Sequence, residues 1–215
     1  MRVIRCYYGV ITAPLAYTLV AQILLTHHLG RSLANMFSYF TIQSNVLVLV
    51  ASAVIAVRPQ LTAGWWKVFR LAQLCGITLT GIVYAAVIAP YVHLSGWALA
   101  YNYVFHYVMP ISAVLGFLFV GPRLRFSYRD LWFLAWPIAW LVYTMLRGAF
   151  VKPEFVGFGE PPSHYPYRFL DVDHVSIFEV VGSVVIIALA LIGLGIAYIR
   201  GERRLERRPA DVALA

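Results

Sequence analysis

The feature that most constrains this chain is the recurrence of long apolar runs. Stretches of about 20 residues with almost no charge, the length that crosses a hydrocarbon core, follow one another along the 215 residues. Only 12% of the residues are charged, against roughly 25% in a soluble domain, and the mean hydropathy is +0.77. The sequence therefore predicts an all-α integral membrane protein, a bundle of six transmembrane helices. The spans read as about 8–29, 36–57, 68–90, 99–121, 131–150 and 176–199. Pro59, Pro90, Pro122 and Pro153 fall where four of them end; proline cannot donate to a continuing helix and disfavours helix in the residue before it. Trp65, Trp66, Trp97 and Trp132 sit near the expected interfaces, where amphipathic rings are favoured.

The basic residues give an orientation. Arg2, Arg5, Arg58, Lys67, Arg70, Arg123, Arg125, Arg129, Arg200, Arg203, Arg204, Arg207 and Arg208 fall on one side, and Arg31, Arg147, Lys152 and Arg168 on the other. This asymmetry, 13 against 4, predicts that both termini are cytoplasmic. The net charge of +8 then suits the anionic cytoplasmic leaflet, not a nucleic acid. The basic start and first apolar run read as a first span, since no small-x-small cleavage site and soluble domain follow. The domain plan is a six-helix unit over 1–199 and a frayed basic tail over 200–215. Cys6 is expected in the cytoplasm and Cys75 within the third span, so they do not pair. The connection over 151–175, containing "KPEFVGFGEPPSHYPYRFLDVDH", is long for a loop without structure of its own. It is read either as an aromatic lid folded over the bundle or as a cap on helix ends. No repeat or matching pair of broken helices is evident, which counts against a secondary transporter.

The polar residues show where chemistry can sit. "FSYFTIQSNVL" at 37–47 puts Thr41, Gln43, Ser44 and Asn45 into an apolar span. At 100° per residue, Ser38, Thr41, Asn45 and Ser52 share one stripe of the second span. Gln73, Gly76, Thr80 and Tyr84 share one on the third. Asn102, His106, Met109, Ala113 and Gly116 share one on the fourth, and Ser176, Glu179 and Ser183 one on the sixth. Such stripes face the bundle interior. Counting 1.5 Å per residue from the outer side puts Thr41 about 7–8 Å, His106 about 10 Å and Glu179 about 5 Å deep. Thr41 and His106 are thus candidates for a nucleophile and base, or for ordinary hydrogen bonds between helices. Glu179 near a helix start also suits the N-terminal dipole.

The motifs GxSxG, HExxH, GxxxxGK[ST] and GxGxxG are absent. A haem held by two histidines needs both on facing helices at one depth, and only His106 lies well within a span; His27 and His28 are at a helix end. His93, His164, His174, Asp171 and Asp173 lack a ligand spacing. No metal or cofactor is expected, and a haem or redox protein is the third reading.

"SYFTIQSNVL", "NYVFHYVMP" at 102–110 and "YPYRFLDV" at 165–172 resemble, in that order, the second-span motif, the fourth-span Asn-x-x-x-His and the aromatic Tyr-Pro-Phe stretch of the androgen-induced and androgen-dependent membrane hydrolases. The likeness covers nearly the whole chain, as a six-span bacterial relative in the plasma membrane. It departs at Tyr103, where the animal pattern carries a second His, and at Pro110, which follows the His one residue sooner. The resemblance implies an intramembrane threonine hydrolase of fatty acid esters of hydroxy fatty acids, with Thr41 and His106 at the matching positions.

On that reading Thr41 attacks a lipid ester once His106 takes its proton. Asn45 and Asn102, each one turn from a catalytic position, are the expected oxyanion donors. Glu179 or Asp171 is expected to orient the imidazole. Ser38, Thr80, Tyr84, Met109 and Tyr167 are expected to line the pocket. The partners are membrane lipids and the lipid ester substrate. The alternative is a non-catalytic lipid-binding or regulatory membrane protein.

Overall fold

The computed structural model describes residues 1–155 and 162–206. Among them, six helices are long and apolar enough to cross a membrane: Arg2–His28, Phe40–Val57, Gly64–Tyr91, Gly96–Val120, Tyr128–Val151 and Ile177–Glu206. No strand forms among the described residues, only a single antiparallel bridge between Phe155 and Ser163. We name α1 (Arg2–His28), α2 (Leu33–Ser38), α3 (Phe40–Val57), α4 (Gly64–Val83), α5 (Gly96–Tyr103), α6 (Met109–Leu115), α7 (Ala135–Leu146) and α8 (Ile177–Glu206).

The third span is the axis of the bundle. Its α4 packs on α3, α6, α8 and the 3-10 turn Tyr128–Leu134, and 56% of its apolar window is buried against protein. The fifth and sixth spans bury only 17% and stand at the periphery. Close approach on the axis needs a small residue. A Cβ on Gly76 would come within 2.7 Å of the Trp136 ring and 3.2 Å of the Ser44 hydroxyl, so α3 and the fifth span both close on the backbone there. The predicted interior stripe of the third span is buried throughout, at Gln73, Gly76, Thr80 and Tyr84.

Three spans share one irregularity. π-helical turns occur at Tyr84–Ile88, Val104–Val108, Gly116–Val120 and Arg147–Val151. Each begins six residues before a proline: Pro90, Pro110, Pro122 and Pro153. In each, the N–H just before the proline donates to a carbonyl five residues back: Ala89 to Tyr84, Met109 to Val104, Gly121 to Gly116 and Lys152 to Arg147. Proline has no N–H, and its ring crowds the carbonyl four residues earlier. Where helical backbone continues through the proline, at Pro90 and Pro110, the preceding turn relieves this by widening; Gly121 (φ 87°) and Lys152 (φ 50°) leave the helix before Pro122 and Pro153, so there the wide turn closes a helix end.

The structure corrects two expected boundaries. The second span does not run unbroken from 36. It breaks at Tyr39, whose backbone is extended (φ −68°, ψ 129°), so Ser38 ends α2 and Phe40 begins α3, with Thr41 next. The carbonyls freed by the break find side-chain donors: Gln43 Nε2 on Phe37 O at 3.0 Å and Trp140 Nε1 on Ser38 O at 2.9 Å. The last helix runs on to Glu206 and is not frayed from 200. Its buried Glu202 carboxylate accepts the N–H groups of Leu124 (2.7 Å) and Phe126 (2.6 Å), which fastens the helix end to the 121–127 segment. Residues 207–215 of the expected tail lie outside the described residues. At the same end of the bundle Arg70, buried, donates to Tyr8 Oη at 3.2 Å and to Gln73 Oε1, joining α1 to α4.

The 151–175 connection folds back over the bundle in its described part. Tyr165 and Leu170 are buried with Val180. Tyr165 lies across Gly148, where any Cβ would collide with its ring. Asp171, fully buried, accepts from the Asp173 N–H (3.1 Å) and pairs with His174 Nδ1 (2.7 Å). Burial by itself pushes the Asp171 carboxyl up, but hydrogen bonds from Ser163, His174 and the Asp173 amide together hold it below the ordinary value of 3.8. Residues 156–161 of the expected lid lie outside the described residues.

Candidate active site

Thr41 and His106 meet. Thr41 Oγ1 stands 3.3 Å from His106 Nε2, across the interface of α3 and the fourth span. The break at Tyr39 sets Thr41 at the second position of α3, where backbone N–H groups have no partner within the helix. His106 sits in the π turn imposed by Pro110, a frequent setting for functional residues.

The imidazole is held on both faces of its chemistry. Its Nδ1 lies 3.0 Å from the Asn102 carbonyl oxygen. A carbonyl only accepts, so Nδ1 carries the hydrogen, and in the neutral ring Nε2 is the acceptor facing Thr41. The Tyr84 ring stacks on the imidazole with centroids 3.9 Å apart and planes 24° apart. Asn102 Nδ2 in turn donates to Tyr84 Oη. Asn102 thus holds His106 twice, directly through its backbone and through Tyr84 with its side chain.

Tyr167 completes the group. Its hydroxyl lies 3.3 Å from the Thr41 N–H and 3.4 Å from Thr41 Oγ1, and the Phe40 amide contributes to the same oxygen. Burial raises the phenol above its ordinary value of 10, so it is a neutral O–H donor. The ring is stacked on Phe169 at 5.2 Å and meets Tyr39 edge-on at 5.8 Å. One sense of donation satisfies the whole series: Tyr167 O–H to Thr41 Oγ1, Thr41 O–H to His106 Nε2, and His106 Nδ1–H to the Asn102 carbonyl.

Several expected roles fall elsewhere. Asn45 uses both amide hydrogens on backbone carbonyls, Thr41 O at 2.9 Å and Phe105 O at 3.2 Å. It ties α3 to the fourth span, and neither hydrogen is left for an oxyanion. The Asn102 amide is directed at Tyr84. Glu179 is exposed and forms a capping box with Ser176, accepting its N–H at 2.9 Å while Ser176 Oγ accepts the Glu179 N–H at 3.3 Å. Asp171 is committed to its own loop. Neither carboxylate orients the imidazole; the Asn102 carbonyl does. Ser38 bonds to Ala34 O (2.7 Å) and Tyr143 Oη (3.0 Å), and Met109 is in the closed core. With Tyr84 stacked behind His106, none of these three lines the cavity.

The cavity beside Thr41 has a volume of about 180 Å³. Thr41, Tyr167 and Thr80 supply the hydroxyls of its wall, and the rest is apolar, from Phe40, Leu79, Val83 and Trp140 to Val184, Ile187 and Leu191. Ile138 of α7 and Ile192 of α8 also line it and are exposed at 60% and 38%, so it opens sideways between these two peripheral helices. From Val184 to Ile192 it follows α8 for about 12 Å at the helical rise of 1.5 Å.

Among the described residues no group of three or more His, Cys, Asp or Glu is placed to hold a metal ion. Sequence reasoning missed the Asn102 carbonyl, because every helix has such carbonyls, and it ranked Tyr167 only as lining, because a loop carries no periodicity. The chain matches no protein-family model, no curated protein and no solved structure.

Proposed function

We propose that the protein is an intramembrane lipid ester hydrolase in which Thr41 is the nucleophile and His106 the general base. One observation carries the reading. The Thr41 hydroxyl lies 3.3 Å from the acceptor nitrogen of an imidazole whose other nitrogen is tied down, at the polar end of an apolar cavity open toward lipid. Nucleophile, base and orienting group stand in the order that acyl transfer needs. The cavity suits a fatty-acyl chain, and the resemblance to the androgen-induced and androgen-dependent membrane hydrolases supports the same chemistry at the same two residues. By the excess of basic residues on the side of the termini, both termini face the cytoplasm of a bacterial plasma membrane and the site lies in the outer half of the bundle.

The reaction balances without a cofactor. His106 Nε2 takes the Thr41 proton as Oγ1 bonds to the ester carbon, and the carbonyl π pair moves onto oxygen. Collapse of this oxyanion breaks the bond to the alkoxy group, which leaves as the alcohol with the His106 proton. His106 then takes a proton from water as it attacks the acyl-threonine. The second collapse releases the fatty acid and returns the proton to Thr41.

The test is labelling of the detergent-solubilised protein with a fluorophosphonate. The wild type is expected to carry the adduct on Thr41. Thr41→Ala is expected to carry none, and His106→Ala to label about 10²–10⁴-fold more slowly. Equal labelling of wild type and Thr41→Ala, or labelling of neither, refutes the enzyme reading. A second reading, lipid binding without catalysis, is favoured by the cavity itself, since an apolar slot with one hydrogen-bonding end holds an acyl chain without any reaction. Saturable fatty-acid binding by a wild type that does not label selects it.

A further inference from the structure

The geometry points to Tyr167 as a third catalytic residue whose hydroxyl, with the Thr41 backbone N–H, forms the oxyanion hole of this site. The inference rests on the hydrolase reading and supplies what that reading lacks, because the two asparagines expected to hold the oxyanion are spent elsewhere.

Three observations converge. The break at Tyr39 leaves the Thr41 N–H without a helical partner at the start of an 18-residue helix, where unpaired N–H groups and the helix dipole favour negative charge. The atom on that N–H is the Tyr167 hydroxyl oxygen, 3.3 Å away. It thus occupies the place that a carbonyl oxygen takes when its carbon is attacked by Thr41 Oγ1. The same hydroxyl is within 3.4 Å of the nucleophile and on the wall of the apolar cavity, so it touches both reacting partners. When the substrate carbonyl enters, its oxygen displaces the Tyr167 oxygen from the Thr41 N–H. The Tyr167 O–H then turns from Thr41 Oγ1 to the developing oxyanion. No proton is transferred from tyrosine; the O–H donates a hydrogen bond that strengthens as the carbonyl π pair moves onto oxygen. Donors placed on the oxyanion are worth most in a water-poor site. The ring is braced by Phe169, Tyr39 and Trp140, which fixes where the hydroxyl points.

Tyr167→Phe removes the one atom at issue and keeps the braced ring. The experiment compares wild type, Thr41→Ala and Tyr167→Phe, full-length in detergent, by the rate of phosphonylation by a fluorophosphonate and by kcat and KM on a p-nitrophenyl acyl ester. Tyr167→Phe is expected to label the same Thr41 about 10²–10³-fold more slowly, with kcat falling by the same factor and KM nearly unchanged. A variant carrying 3-fluorotyrosine at 167, the same shape with a more acidic O–H, is expected to react at least as fast as wild type. If Tyr167→Phe labels Thr41 and turns over within threefold of wild type, the oxyanion role is overturned while the hydrolase reading stands. A change confined to KM, or a slower fluorotyrosine enzyme, assigns Tyr167 to binding or packing and overturns the role equally. If wild type forms no adduct on Thr41, the hydrolase reading fails and takes this inference with it.

Discussion

Gly148→Ala tests how the 162–176 segment positions Tyr167 without assuming any activity. An added Cβ at 148 would overlap the Tyr165 ring, lying 2.6 Å from Cζ and 2.7 Å from Cδ1, about an ångström inside an ordinary carbon contact of roughly 3.5–4.0 Å. The ring has two responses. Undocking gives up an aromatic burial of about 150–250 Å², or about 4–6 kcal/mol at 25 cal/mol per Å². Shifting in place costs about 1–3 kcal/mol, the usual range for overpacking. The smaller cost wins, so the segment is expected to stay docked but displaced. Tyr167, two residues on, moves with it, and its contact with the Thr41 N–H lengthens. The expected fall in Tm is about 2–12 °C, from 2–4 °C per kcal/mol at this size. Hydrogen exchange at the Thr41 amide is expected to accelerate while amides in the middle of α4 keep their protection. If the site hydrolyses esters, an ångström of misplacement slows it by about 10²-fold. An unchanged Tm together with unchanged Thr41 exchange would refute the claim that Tyr165 on Gly148 sets the register of this segment.

Two further predictions concern parts of the chain away from Thr41 and His106. The Asp171 carboxyl is held below 3.8 by its hydrogen bonds, so its contribution is fully present above that unfolded value and is lost as pH falls through and below it. Protease cleavage within the 151–176 connection is expected to speed up below about pH 4, the ordinary carboxylate value; Asp171→Asn should cut faster already at neutral pH and lose this pH dependence, and a variant that keeps it would refute the assignment. Glu202→Gln replaces a carboxylate accepting two N–H groups with one carbonyl oxygen, and is expected to cost about 1–3 kcal/mol, read as a lower Tm and faster exchange at Leu124 and Phe126. Unchanged exchange there would show that the end of α8 is held by its apolar contacts alone.

The sequence by itself determined the class of the protein, the number of crossings and the inward direction of the polar stripes on the second, third and fourth spans; the stripe expected on the sixth is not interior, since Ser176 and Glu179 are exposed and cap a helix start. Apolar runs of membrane length and helical periodicity are local properties, and lipid leaves a run of this kind few alternatives to a helix. The prolines marked where spans change, and another, Pro110, explains the widened turn that carries His106. Thr41 and His106 were legible because polar groups are costly among apolar ones and the resemblance named the same pair. Their 3.3 Å approach was decided only by tertiary structure, as was the break at Tyr39, which depends on Gln43 and on Trp140 from a span 100 residues away. Likewise Asn45, Asn102, Glu179 and Asp171 are ambiguous as letters, since an amide or carboxylate takes whichever partner the fold brings first. Here packing gave them carbonyls, a stacked tyrosine, a helix start and a loop, and it brought Tyr167, from a segment with no periodicity to read, onto Thr41.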